Sequence, residues 1–201
     1  MPRHPAARPR SVVATDEEVE NLLAHAKPSL KLWLLLCSDL ALRSGTAAQA
    51  RPAHYDAARR ELRLTSKKGA RLTLPVTAGI EELLNCCDMS NPQPFIWQLR
   101  DKERTQRHAS EGKSGARIFR VEFNQLRADI GITRRIIAHD LRRTTAVAML
   151  RDTHDIRAVQ SLLGHRSLNA TIWYLDHDLT PISRSTLERI KRPAWRKEQH
   201  A

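Results

Sequence analysis

Cysteine is rare in this sequence, and its scarcity narrows the field at once. The three present, Cys37, Cys86 and Cys87, form no C-x-x-C pair and are odd in number, which argues against a disulfide framework and for a reducing cytosol. Long hydrophobic runs are missing too. The longest strongly apolar stretch, Leu32 to Cys37, is far shorter than the roughly 20 residues that span a bilayer. Met1 to Arg10 carries Pro and Arg where a signal peptide would have an apolar core. A soluble, cytoplasmic protein with no membrane partner is expected. No internal repeat and no H-E-x-x-H spacing is found, and 201 residues leave no room for a second large domain.

What is abundant is positive charge. Lys plus Arg number 34 against 22 Asp plus Glu, a formal net charge of +12. Such a balance favours a polyanionic partner. Charge alone does not distinguish DNA from RNA or an anionic membrane, because neutralising phosphates reads no sequence.

Along the chain, Pro2, Pro5 and Pro9 within a poorly apolar, basic start predict a flexible arm over residues 1–14. Thr15-Asp16-Glu17-Glu18 fits a capping box, and Val19, Leu22, Leu23 and Ala26 follow at helical spacing. Leu30 to Leu42 is apolar nearly all round and predicts a central core helix. The period then becomes two: Leu62 and Leu64, then Leu72 and Leu74, alternate with polar residues around Lys67-Lys68-Gly69-Ala70, which predicts a β-hairpin. Ile80, Leu83 and Leu84 mark a helix, Gln98 to Gly115 an exposed loop, and Phe119, Phe123, Leu126 and Ile130 another helix ending at Gly131. Short helices follow over approximately His139 to Asp152, Ile156 to Leu163, Leu168 to Leu175 and Pro181 to Ile190, with Asp155, Ser167 and Thr180 as N-caps. The fold class expected is mainly α with a small antiparallel β-hairpin or sheet.

Three stretches stand out chemically: His139-Asp140-Leu141-Arg142-Arg143-Thr144, Leu162-Leu163-Gly164-His165, and Thr171-Ile172-Trp173-Tyr174. In this order they resemble the H-x-L-R, L-G-H and terminal tyrosine boxes of the tyrosine recombinases, the phage integrase family. Upstream, Leu42-Arg43-Ser44-Gly45 resembles that family's first arginine box, and Ser66-Lys67-Lys68-Gly69 with Leu74-Pro75-Val76 its lysine hairpin. The resemblance covers nearly all of the chain after Thr15.

Such a set suits an anionic phosphodiester, whose displacement concentrates further charge on the phosphoryl oxygens. Arg43 and Arg142 each offer a permanently charged planar fork that matches two oxygens. Tyr174 would be the nucleophile, and a phenol with an ordinary pKa of about 10 needs help to lose its proton at neutral pH. His139 can accept it, and Lys67 can protonate the departing 5′-oxygen; Lys68 is the alternative. The resemblance further implies that His165 contacts the phosphate or orients Tyr174, that the intermediate is a 3′-phosphotyrosyl link, and that no cofactor, metal or ATP is required. It implies double-stranded DNA as partner, a monomer when free, a homo-tetramer on DNA with the segment 179–201 exchanged between protomers, and a nucleoid-associated location. The catalytic domain would span residues 15–178.

Two departures from the family pattern are visible. Thr46 stands where an acidic residue often follows the first arginine, and Thr153 lies near a position usually held by glycine, where positive φ would be costly for a β-branched residue. The family's N-terminal clamp domain is not part of this sequence, so a small fimbrial-inversion-type recombinase and a truncated integrase both fit. The rival readings are a catalytically silent DNA-binding relative, a type IB topoisomerase, and a metal-dependent phosphohydrolase using His139, His165, Asp176, His177 and Asp178.

Overall fold

The computed structural model describes residues 12–65, 69, 71–100 and 115–175. Most of the basic arm, Lys67 and Lys68, residues 101–114 and the helix expected over Pro181 to Ile190 lie outside that set.

The first helix, α1 (Asp16–His25), opens as its sequence demands. The Thr15 hydroxyl accepts from the Glu18 amide at 3.2 Å, and the Glu18 carboxylate accepts from the Thr15 amide at 2.8 Å. This reciprocal cap satisfies two amides that a helix start otherwise leaves without partners. Helix α2 (Pro28–Ser38) starts on a proline and buries Leu32, Trp33, Leu34, Leu36 and Cys37 almost completely. It is the central core element expected, but it stops earlier than expected. Ala41 adopts φ +48 and the Leu42 amide reaches back to the Leu36 carbonyl at 3.0 Å, so Leu40 to Leu42 leave the helix. The short α3 (Ser44–Ala47) follows directly on Arg43.

The sheet has three strands, β1 (Tyr55–Asp56), β2 (Glu61–Thr65) and β3 (Arg71–Pro75), all antiparallel in the order β1-β2-β3. Leu62 pairs with Leu74 and Leu64 with Leu72, so the four leucines share the buried face, as the alternation requires. The edge strand β1 was not expected from the sequence.

Helix α4 (Ala78–Leu84) and the short α5 (Phe95–Gln98) lead to Arg100. Gln98 to Arg100 are not the exposed loop expected: Gln98 ends a helix, and Arg100 is 8% exposed. Its guanidinium pairs with Glu122 at 2.5 Å and lies over the rings of Trp97 and Phe119. Helix α6 (Gly115–Asp129) stacks Phe119 on Trp33 with ring centroids 5.8 Å apart. It ends at Gly131, φ +76, in a Schellman turn: the Gly131 amide bonds Ala128 and the Ile132 amide bonds Arg127.

The chemistry-bearing boxes ride on α7 (Ala138–Thr153), α8 (Ile156–Leu163) and α9 (Leu168–Leu175). The buried Asp140 carboxylate caps α7 by accepting from the Ile137 amide at 2.9 Å. Asp155 and Ser167 cap α8 and α9 as expected. The positive φ near Thr153 falls on His154 instead, at +54, while Thr153 remains helical. Helix α7 packs against α2 and α8, and α8 against α9 and β3. Two side-chain bonds fasten α7 to the front of the chain: Thr144 accepts from the Ala14 amide at 2.7 Å, and the Thr145 hydroxyl donates to the Ser38 carbonyl.

Candidate active site

Five of the six residues singled out from sequence fall in one place. Tyr174, on the last turn of α9, is 8% exposed, and its ring is flanked edge-on by two imidazoles. His139, at the start of α7, lies 5.4 Å away between ring centroids and His165 5.7 Å away, at interplanar angles of 82° and 86°. His165 comes from the turn after α8. Gly164, φ +59, reverses the chain there, with the Gly164 amide bonded to Ser161 and the His165 amide to Gln160. The His165 Nδ1 is 3.1 Å from the buried Thr171 hydroxyl, one turn before Tyr174. That contact couples the ring's orientation to α9.

Arg142 is 1% exposed. Its guanidinium donates to the Ala41 carbonyl and, at 2.8 Å, to the Leu163 carbonyl. Neutral carbonyls orient the group without cancelling its charge. Burial, and then the like charge of Arg43, push its pKa down to about 10, so it stays cationic at neutral pH. The cost of desolvating a cation that carbonyls alone do not neutralise is recovered when an anion arrives. Arg43, half-buried at the start of α3, is near enough for its charge to act on both Arg142 and His139. The Trp33 indole anchors this corner by donating to the Ser44 carbonyl at 3.1 Å.

The titration directions follow from this arrangement. His139 keeps an exposed edge, yet partial desolvation, followed by the charge of Arg142, lowers its pKa below the ordinary imidazole value. It is therefore neutral at physiological pH and able to accept a proton. Burial raises the Tyr174 phenol above its usual value, while Arg142 and then Arg143 pull it back. The hydroxyl feels the Arg142 charge but makes no hydrogen bond of full geometry with any described residue. Beneath Arg142, the buried Cys37 thiol is pushed up to about 12 and is inert packing.

Lys67, the sixth residue, lies outside the described residues; described residues that follow it meet the turn that carries His165. Gly69, φ +77, is close against Arg166: a Cβ there would lie 3.2 Å from Nη2. On the next strand, Leu72 fits against Gly164.

Sequence reasoning missed Arg143. It is 1% exposed, donates to the Tyr174 main-chain carbonyl, and places its guanidinium carbon 5.4 Å from the centre of the Tyr174 ring. A second arginine beside Arg142 reads as a solvated surface residue, so no sequence signal marked it. Among the described residues no group of three or more His, Cys, Asp or Glu side chains forms a metal site; Asp176, His177 and Asp178 lie outside them. No helix among the described residues is long and apolar enough to cross a membrane.

Comparison with known proteins agrees with this geometry. The tyrosine recombinase XerC of Rhizobium meliloti (strain 1021) is 28% identical over 186 residues, covering 88% of this chain and 57% of XerC. The chain thus spans little more than half the length of that relative. The catalytic domain of bacteriophage HP1 integrase superposes with a TM-score of 0.61 at 17% identity, covering 89% of this chain and 92% of that domain. XerH site-specific recombinase, solved in a post-cleavage complex bound to palindromic difH substrate, gives 0.60 at 21% identity, covering 84% of this chain and 50% of XerH. The Phage integrase family itself matches residues 13–180. Sequence, fold and the gathering of the boxes around one phenol therefore agree that this chain belongs to the phage integrase family, the tyrosine recombinases, and has their catalytic-domain fold.

Proposed function

We propose that this chain is the DNA-cleaving and rejoining unit of a site-specific recombinase, with Tyr174 as nucleophile. The observation that carries the reading is a phenol held between two imidazoles beside a buried guanidinium that, among the described residues, is held by two neutral carbonyls. In the forward step the Tyr174 Oη–phosphorus bond forms and the bond from phosphorus to the 5′-oxygen breaks. His139, neutral at physiological pH, takes the phenolic proton, and Lys67 gives one to the leaving oxygen. Arg43 and Arg142 hold the phosphoryl oxygens as their charge grows. His165 positions the tyrosine and donates to the phosphate. Attack by a new 5′-hydroxyl reverses the sequence, so bond energy is conserved and the chemistry is assigned to these side chains without a cofactor.

Double-stranded DNA is the proposed partner, supported by the net charge of +12 and by the DNA complex of XerH. We assign residues 15–178 to catalysis, residues 1–14 to a basic arm on the phosphate backbone, and residues 179–201 to a segment exchanged among four protomers on DNA, the free chain being monomeric. A cytoplasmic, nucleoid-associated location follows from this partner.

The deciding experiment offers the chain a pool of nicked duplexes with randomised inverted repeats, in chelator, and recovers denaturant-resistant protein–DNA adducts. Adducts formed by the wild type and lost in Tyr174→Phe, with DNA binding intact, are the expected result. An adduct in Tyr174→Phe overturns the nucleophile, and binding without any adduct favours a silent DNA-binding relative. Truncation after Ile182 should spare adduct formation but reduce the size of the complex on the selected duplex, measured by sedimentation. An unchanged complex overturns the exchange.

A further inference from the structure

We infer that Arg143 is a positioning residue for Tyr174, fixing the backbone of α9 at the nucleophile and setting the environment in which its phenol ionises. The inference rests on the reading of Tyr174 as nucleophile. Two contacts carry it, and they act on different parts of the same residue. The guanidinium donates to the Tyr174 carbonyl, on the last described turn of α9. The same cation lies 5.4 Å from the ring centroid, in the range where a ring and a buried cation attract. With 1% of its surface exposed, Arg143 is a desolvated charge, and its field at the ring is screened far less than a surface arginine's.

Adjacent helical residues point about 100° apart. Arg142 and Arg143 can thus serve different ends of the site: Arg142 reaches the carbonyls of Ala41 and Leu163, and Arg143 reaches α9. The phenol is faced from α7 by His139, Asp140, Arg142 and Arg143, and from the turn after α8 by His165. Asp140 opposes ionisation of the phenol, while Arg142 and Arg143 favour it against the effect of burial. Removing Arg143 leaves one of these two cations. The nucleophile then ionises less readily and loses the clamp on its main chain.

A buried arginine could also act as a mere brace between α7 and α9, and the variants separate the two roles. Arg143→Gln retains a donor for the carbonyl but no charge, Arg143→Lys keeps charge without the fork, and Arg143→Met removes both. Adduct formation on the selected nicked duplex is followed from mildly acidic to alkaline pH, alongside Tm. Arg143→Gln and Arg143→Met should slow adduct formation near neutral pH by roughly tenfold or more and move the half-maximal rate to higher pH. Arg143→Lys should slow it with little shift in the profile. In the free chain, ultraviolet difference titration reads the phenol directly. With Tyr55 and Tyr174 the only tyrosines, subtraction of the Tyr174→Phe curve isolates Tyr174, whose midpoint should rise in Arg143→Gln. Profiles that fall by one factor at every pH, in step with Tm and with the Tyr174 midpoint unmoved, make Arg143 a brace and overturn the inference. Absence of adduct in the wild type, with the midpoint shift present, counts against the proposed function and leaves the coupling of Arg143 to Tyr174 standing.

Discussion

Gly164 meets Leu72 with no space for a side chain: a Cβ on Gly164 would lie 2.7 Å from the leucine Cδ2. The turn that presents His165 and the strand that follows the lysine hairpin are thereby in direct apposition. At φ +59, any other residue at 164 would also be strained. Gly164→Ala should cost about 1–3 kcal/mol in denaturant unfolding. Because Leu72→Ala opens the same space, the double variant should lose less than the sum of the singles, by at least about 0.5 kcal/mol. Strict additivity would mean that the two elements do not press on one another.

Arg142 and Arg43 should resist conservative replacement. A lysine at 142 cannot reach the Ala41 and Leu163 carbonyls with one fork while presenting a further edge to phosphate. Arg142→Lys and Arg43→Lys should each slow adduct formation by about a hundredfold or more, with DNA binding weakened far less. Wild-type rates in both would make the arginines structural.

The acid limb of the pH profile reports on His139. Its pKa lies below the ordinary value of about 6.5, so the neutral, proton-accepting form persists to lower pH than in a free histidine. Adduct formation should hold as pH falls through 7 and decline only below about 6.5. His139→Gln should slow the reaction and remove that decline. A decline centred above pH 7 would exclude His139 as the proton acceptor.

Glu18 and Arg134 supply an acid-sensitive contribution to stability. The Arg134 hydrogen bond holds the Glu18 carboxyl below its usual pKa, and the same guanidinium donates to the Val13 carbonyl at 2.9 Å. A depressed carboxylate stabilises the fold above its unfolded pKa, and the contribution vanishes as pH falls through the folded value. Arg134 is nearly half exposed, so the pair should be worth no more than about 1 kcal/mol. The stability gap between wild type and Glu18→Gln, measured by urea unfolding, should be present at neutral pH and close in acid. A gap that widens in acid would reverse the assignment.

Where local chemistry is self-sufficient, residue order alone determined the outcome. The Thr15–Glu18 cap, the leucine alternation that sets the β2–β3 register, and the glycine stops at 131 and 164 each depend on neighbours within a few residues, so their patterns are visible in one dimension. The boxes around His139, His165 and Tyr174 were legible for a related reason: their order along the chain matches the family's boxes, and the fold brings the two imidazoles to one phenol. What only the tertiary structure decided depends on partners distant in sequence. Helix α2 ends at Ser38 with no proline or glycine to stop it, and the Ala41 carbonyl it releases is taken by Arg142, 101 positions away. Strand β1 has two residues, too short for any alternation, and exists because β2 offers an open edge. Arg100 and Arg143 read as surface charges; packing buried them, one against Glu122 and two aromatic rings, the other beneath Tyr174. Composition leaves an arginine in water by default, and partners arriving from elsewhere in the fold offset the cost of burying it: a carboxylate and two rings for Arg100, a ring and a carbonyl among the partners of Arg143.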